Sequence, residues 1–444
     1  MTAFDALFVP AELRDAVSGR AWLEGMLAAE RALARAGSAA GVVPEKAAET
    51  IAEECSADAY DWDVLLLEWR QSGSPADPLV QALVRRVGEE AGRWVHLGAT
   101  SQDVVDTAAM LVSRDGLALV GEWLTRACDA CAELARTHRN TPMAGRTLLQ
   151  HAVPTTFGLK AAGWLVALAD ARGRLLEVRD NLPAQLGGAA GTLSALGDRG
   201  LEVSALYARE LGLAEPTLPW HANRTPVVEL GAVLTIAAGA VAKVALDLQL
   251  LAQTEVAEVR EAGDGGGSSA MPQKRNPVGA TWARAGAELA RGHALVLVGA
   301  ASAEHERGAG SWQAEADALS GALATTGGAA AALAGALDGL EVDAGRMRAN
   351  LDLTGGAIVA ERLALVLTER LGRSEARALA RRAALRASAS GGTFRDAVAG
   401  ESDLGRAELD EVFDPASYLG SAGALVDRAL DRYASERRAD EREP

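Results

Sequence analysis

Hydrophobic positions recur along most of the chain at the spacing of an α-helix. In 21–36, Leu23, Met26, Leu27, Leu33 and Ala34 form one apolar stripe, with glutamates and arginines between them. Segments 115–136 and 155–181 repeat the pattern. Segment 229–261 carries apolar residues with almost no breaker, longer than an ordinary globular helix, and predicts an extended bundle. Segment 278–301 predicts another long helix. Residues 318–337 carry no charge and are long enough to cross a bilayer. They are mostly alanine and glycine, hold Ser320, Thr325 and Thr326, and lie mid-chain, so they predict a buried central helix. Strand-like alternation is nearly absent. The pattern predicts an all-α fold of three helical domains: an N-terminal domain (1–107), a central long-helix bundle (108–350) and a smaller C-terminal domain (351–444) whose charged end, 436–444, frays.

Composition narrows the class. Hydrophobic residues make up 49% and charged ones 23%, enough to bury a large core and to exclude general disorder. Aromatics are only 4%, which favours closely packed helices with small contact residues. A net charge of −16 lacks the basic footprint of a nucleic-acid binder, yet leaves an anionic substrate open, because local cations decide a site. The cysteines are Cys55, Cys128 and Cys131. The Cys128-x-x-Cys131 spacing has no second pair to complete a zinc site, so it reads as a helix face, and no disulfide framework is implied. The first fifteen residues lack the basic and apolar regions of a signal peptide, and the expected location is the cytoplasm.

One segment breaks the helical pattern. Residues 263–277 read GDGGGSSAMPQKRNP, and Gly263, Gly265, Gly266 and Gly267 suit a mobile or tightly bent loop. Ser268 and Ser269 follow as a potential nucleophile or base, with Lys274 as a fixed cation and Asn276 as an amide. Pro272 and Pro277 punctuate a defined conformation rather than a plain linker. Polar chemistry on a glycine loop between long helices predicts a lid over an anionic substrate. A phosphate loop is excluded, since Gly-Lys-Ser/Thr is absent.

GSSAMPQKRNP resembles the signature of the fumarase/aspartase superfamily. Two further blocks match in the same order: HLGATSQD at 96–103 and GRTLLQHAVP at 145–154. Within the superfamily the whole chain most resembles the 3-carboxy-cis,cis-muconate cycloisomerase branch, from the Arg20 region through Glu304-His305-Glu306-Arg307 to Asn350-Leu351-Asp352-Leu353-Thr354. The resemblance implies a homotetramer whose central helices form one bundle with shared active sites. It implies a small di- or tricarboxylate substrate, no nucleic-acid or membrane partner, and neither metal nor organic cofactor.

The superfamily's chemistry is anti elimination, or the reverse addition, next to a carboxylate. Removing the proton alpha to a carboxylate loads extra negative charge on it, which cations and hydrogen-bond donors must hold. Ser268 matches the catalytic serine, which needs activation by its surroundings to act as a base. Ser269, Lys274 and Asn276 match carboxylate-holding positions. His151 is the second catalytic candidate, as proton donor or carboxylate orienter, with Gln150 beside it. Thr100, Ser101 and Gln102 should donate to a carboxylate, and they also suit a helix cap. Arg307 offers a bidentate guanidinium, and Arg20 completes the substrate-binding set. Trp220, His221 and Arg224 match a further block, where packing and intersubunit contacts compete with catalysis.

Leu148 stands where fumarases carry a histidine, against a true fumarase. Ser74, Asp77, Gln273, Gln313 and Ala314 depart from the cycloisomerase pattern and point to a changed leaving-group side or to neutral drift. The implied activity is a cycloisomerase on a carboxymuconate or its lactone. The alternative is a carbon–nitrogen lyase on a 2-substituted succinate such as nitrosuccinate, releasing fumarate and nitrite. A non-catalytic scaffold fits poorly with Ser268, Lys274, Asn276 and His151 all retained.

Overall fold

Helices account for about 71% of the protein, as the small-residue periodicity predicts. The computed structural model describes residues 5–263, 266–268 and 271–440. Five long helices dominate: Ser101–Thr137, Phe157–Asp180, Thr225–Leu251, Val278–Gly299 and Glu315–Leu337. The chain divides into two compact units, one of residues 1–125, 170–242 and 282–333, the other of 126–169, 243–281 and 334–444. Each long helix contributes a stretch to both.

In the first unit, helix Gly19–Ala39 buries Leu23, Met26 and Leu27 against Leu79, Leu83 and Tyr207. Small residues bring backbones together here. A Cβ built on Gly25 would lie 3.1 Å from the Cα of Ala108, so this crossing depends on having no side chain. In the second unit, helix Ala360–Ser390 packs Leu363 and Leu367 on Phe394 and Val398. The last helix, Ala422–Asp440, is tied down by Tyr433, whose hydroxyl donates to Asp129 at 2.7 Å, and by the two-pronged Arg139–Asp427 pair at 2.7 and 2.6 Å.

Two departures from the sequence pattern matter for the site. The helix expected over 229–261 ends at Leu251. Beyond it Ala257 adopts a left-handed φ of 51°, and Val259–Arg260 pairs with Glu341–Val342. The reason is Glu258, fully buried and held by Arg146 and Asn350, which draws this stretch out of the helix. The second departure is an antiparallel hairpin, Pro142–Thr147 with Gln150–Thr156, which carries the GRTLLQHAVP block.

Thr225–Leu251 and Trp312–Leu337 are long and apolar enough to cross a membrane by length and composition, but much of each is packed inside the protein. Leu323, Ala329, Ala330 and Leu333 have no exposed surface at all.

Candidate active site

In the first unit the chain enters helix Ser101–Thr137 through the turn at 96–100. The Thr100 N–H donates to Asp103 Oδ2 at 2.9 Å, the reach-back that caps a helix. Asp103 also accepts the Gly187 and Gly188 N–H groups, both at 2.9 Å, and lies 2.6 Å from His221 Nε2. A carboxylate with that many donors is satisfied, so it fixes the turn and the glycine loop together. The Ser101 hydroxyl donates to Asp77 at 2.5 Å. The Gln102 amide donates to Asp106 at 3.1 Å and to the His221 carbonyl at 3.0 Å, while its buried Oε1 has no partner. Two of the three donors expected to meet a carboxylate are thus engaged within the protein.

Arg307 reaches the same loop, donating from Nη2 to the Ala189 carbonyl at 3.1 Å, and its buried Nε is unpaired. Behind the turn lies a buried ion network. Arg224 grips Asp106 at 2.7 and 3.0 Å and Glu315 at 3.1 Å, and stacks over Trp220 at 4.9 Å. Trp312 donates its indole N–H to the same Asp106 at 2.9 Å. So Arg224 and His221 hold the site's frame, the packing role the sequence allowed. Arg20 is engaged instead in exposed pairs with Glu24 at 2.9 Å and Asp58 at 2.5 Å, and none of its contacts reaches the turn.

The second unit holds the other half of the candidates. Leu148 and Leu149 form the hairpin tip with φ of 50° and 64°, which sets Thr147 opposite Gln150 and Arg146 opposite His151. Gln150 is exposed, and Leu148 and Leu149 are 97% and 77% exposed. His151 keeps a buried Nδ1 with no hydrogen-bond partner. Burial and the neighbouring Arg146 hold its pKa below the ordinary value, against the pull of Glu258, so the imidazole is neutral at pH 7. Arg146 is itself clamped on Glu258 at 2.7 and 3.0 Å. Sequence reasoning missed Glu258, because it sits in what reads as uninterrupted helix.

The glycine-rich segment is a small hairpin, Gly267–Ser268 paired with Met271–Arg275. Ser268 is placed by its backbone alone, and Ser269 lies outside the described residues. Gly266 has φ of 76°, and a Cβ there would lie 2.6 Å from the Asn276 carbonyl oxygen. The Asn276 side chain donates to the Gly266 carbonyl at 2.6 Å, so this amide closes the hairpin's base. Lys274 is exposed and lines a cavity of about 830 Å³ with Arg260, Gln253 and Glu341. Glu261 caps the following helix by accepting the Gly279 and Ala280 N–H groups at 2.9 and 2.8 Å.

A family model described as "Lyase" matches residues 10–292, and one described as "Adenylosuccinate lyase C-terminus" matches 356–429. The chain belongs to the lyase family. This lyase is 48% identical to nitrosuccinate lyase of Streptomyces davaonensis, over 94% of its own length and 91% of that protein's. It is 45% identical to 3-carboxy-cis,cis-muconate cycloisomerase of Bradyrhizobium diazoefficiens, over 97% and 98%. The crystal structure of 3-carboxy-cis,cis-muconate lactonizing enzyme from Pseudomonas putida matches with a TM-score of 0.92 at 42% identity, covering 98% of this chain and 99% of that one. The lyase is therefore an enzyme of the fumarase/aspartase superfamily, with its all-α fold.

Proposed function

We propose that this lyase catalyses anti β-elimination, or the reverse addition, next to a carboxylate, as a 3-carboxy-cis,cis-muconate cycloisomerase. The observation that carries the reading is a pair of candidate side chains left with a buried nitrogen that has no hydrogen-bond partner and is able to donate to a carboxylate: His151 Nδ1 and Arg307 Nε. Buried polar atoms are almost always satisfied, and groups left open are what a ligand would complete. In the elimination direction Ser268 takes the proton alpha to the carboxylate, and that electron pair forms the double bond as the leaving group departs. For a lactone the leaving group is itself a carboxylate and needs no proton, which suits a neutral His151 as orienter. Lys274, Ser269, Thr100 and Arg307 hold the charge that develops on the retained carboxylate. Ser101, Gln102, Gln150 and Asn276 set the shape of the pocket, the amide of Asn276 through the base of the signature hairpin.

The candidates fall into one group in each unit. We assign an oligomer, a homotetramer, in which different copies of the chain complete each site, working in the cytoplasm without a membrane or nucleic-acid partner. The exposed Leu148–Leu149 tip beside His151 supports this, since a bare apolar pair on a hairpin calls for cover.

A second reading, a carbon–nitrogen lyase on nitrosuccinate, is favoured by the 48% identical relative. The test is an ultraviolet assay of the purified protein with 3-carboxymuconate and nitrosuccinate in parallel, repeated with Ser268→Ala. Loss of the muconate chromophore without fumarate supports the cycloisomerase. Fumarate and nitrite from nitrosuccinate, with muconate untouched, support the alternative. Turnover surviving in Ser268→Ala removes Ser268 as the base.

A further inference from the structure

Within the second unit, the hairpin Pro142–Thr156 borders a cavity of about 660 Å³ that the reaction scheme does not use. Its other walls are the first turns of helix Phe157–Asp180, the last turns of helix Thr225–Leu251 and the start of helix Ala422–Asp440. Leu159, Trp164, Val244 and Leu425 give it an apolar wall, and two ammonium groups, Lys160 and Lys243, stand in it with the Asp247 carboxylate. Asp247 is already shared, accepting from the Trp164 indole N–H at 2.8 Å and pairing with Lys243. Lys160 Nζ stays 3.8 Å from Asp247, beyond hydrogen-bond length, and makes no hydrogen bond among the described residues. Its side chain is nonetheless only 28% exposed, so a half-buried cation keeps its donors unspent.

We propose that this cavity is a second carboxylate site, which takes an organic monocarboxylate with an apolar body and meets its anionic head with Lys160 and Lys243. Neither lysine has a part in the elimination, so the site stands whichever substrate the lyase turns over.

Charge and size set the class of ligand. Arg146 also lines the cavity, but it is clamped on Glu258 and adds no net charge. Two ammonium groups against the single Asp247 carboxylate leave one positive charge in excess, which one carboxylate neutralises. A di- or tricarboxylate would set surplus negative charge against Asp247 and the apolar wall. Burial lowers the Lys160 pKa against the pull of Asp247, and Lys243 and Arg146 lower it further, opposed by Glu258. An anion at Nζ removes that disadvantage and takes up the idle donors in charge-assisted hydrogen bonds. Helix Ala422–Asp440 borders the cavity at Ser421 and Ala422 with no acidic side chain in its first turn, so its positive end adds to the same field. The volume lies within the roughly 300–1,000 Å³ of ordinary small-molecule pockets.

The experiment is calorimetric titration of benzoate, an apolar ring with one carboxylate, into the full-length protein, with inorganic phosphate titrated in parallel. Four variants join the wild type: Lys160→Met, Lys160→Arg, Gly163→Leu and Lys274→Met. Gly163 lines the cavity, and a Cβ built on it meets nothing within 4 Å, so leucine there fills the space from a helix that tolerates it. Benzoate should bind the wild type, and Lys160→Met should weaken it about tenfold or more. Lys160→Arg keeps the charge and should keep the binding, while Gly163→Leu should abolish it with every charge in place. Lys274→Met, altered only in the glycine-rich hairpin, should bind benzoate within about twofold of the wild type. Absence of benzoate binding by the wild type overturns the proposal. So does binding unmoved in both Lys160→Met and Gly163→Leu, or lost in Lys274→Met alone, which would seat benzoate at the signature hairpin. Phosphate bound as tightly as benzoate would show that the apolar wall has no part, and the assigned ligand class would fall.

Discussion

Replacing Arg224 by methionine tests the buried frame behind the turn. The Arg224 side chain is 1% exposed and serves two carboxylates, Asp106 and Glu315, which are themselves 2% and 9% exposed. Methionine keeps much of the volume and the stacking on Trp220 but removes the positive charge, leaving two buried carboxylates face to face. Breaking one buried pair in this way costs about 3–5 kcal/mol. At about 2–4 °C per kcal/mol for a unit of some 150–250 residues, the melting temperature should fall by about 6–20 °C. The loss should depend on pH. Burial already holds the Glu315 carboxyl above the ordinary range, and Arg224 is what pulls it back down. An acid whose folded-state pKa exceeds its unfolded value has its full stability below the unfolded pKa and loses it as pH rises through the folded pKa. The deficit of Arg224→Met should therefore widen between about pH 5 and about pH 8. Calorimetric melts at both pH values measure it. Neutralising the partners as well, with Asp106→Asn and Glu315→Gln, should recover most of the loss, because no unpaired charge then stays buried. A deficit under about 1 kcal/mol that ignores pH would mean that water reaches these carboxylates, and the network would be a surface feature.

Other consequences are tested more simply. Gly266→Ala should abolish turnover with little change in melting temperature, since its Cβ would meet the Asn276 carbonyl at 2.6 Å in a small exposed hairpin; an active variant would show that the hairpin's shape is dispensable. With the His151 pKa lowered by burial and Arg146, the acid limb of kcat/KM assigned to it should fall below about pH 6.5 and be absent in His151→Asn; a limb retained there belongs to another group. Leu148→Asp with Leu149→Asp should shift the assembly to smaller species in sedimentation and lower activity in parallel, while an unchanged mass would place the tip outside any interface.

Much of the architecture is legible in the sequence because helix periodicity is local. The stripe of Leu23, Met26 and Leu27 and the uncharged run after Ala318 are each visible within a few turns of chain, and both become buried helix. The end of the helix at Leu251 is not visible, because what stops it is Glu258, bound to Arg146 about a hundred residues away and to Asn350. The GRTLLQHAVP strands are equally hidden. Their short, mixed polar pattern has neither alternation nor a glycine turn, and two leucines take the left-handed tip positions.

The candidate site divides along the same line. Motif spacing alone brings Ser268, Lys274 and Asn276 onto one loop and Thr100, Ser101 and Gln102 onto one helix start. It cannot say which of these side chains are free. Ser101 reads as a donor until Asp77 is seen to accept from it, and Asn276 until its amide is found closing on Gly266. Residue type and short-range spacing set chemistry and helical class, because both depend on neighbours in the chain. Hydrogen-bond partners, buried charge pairs and the state of a histidine depend on neighbours in space, and these the tertiary structure alone decided.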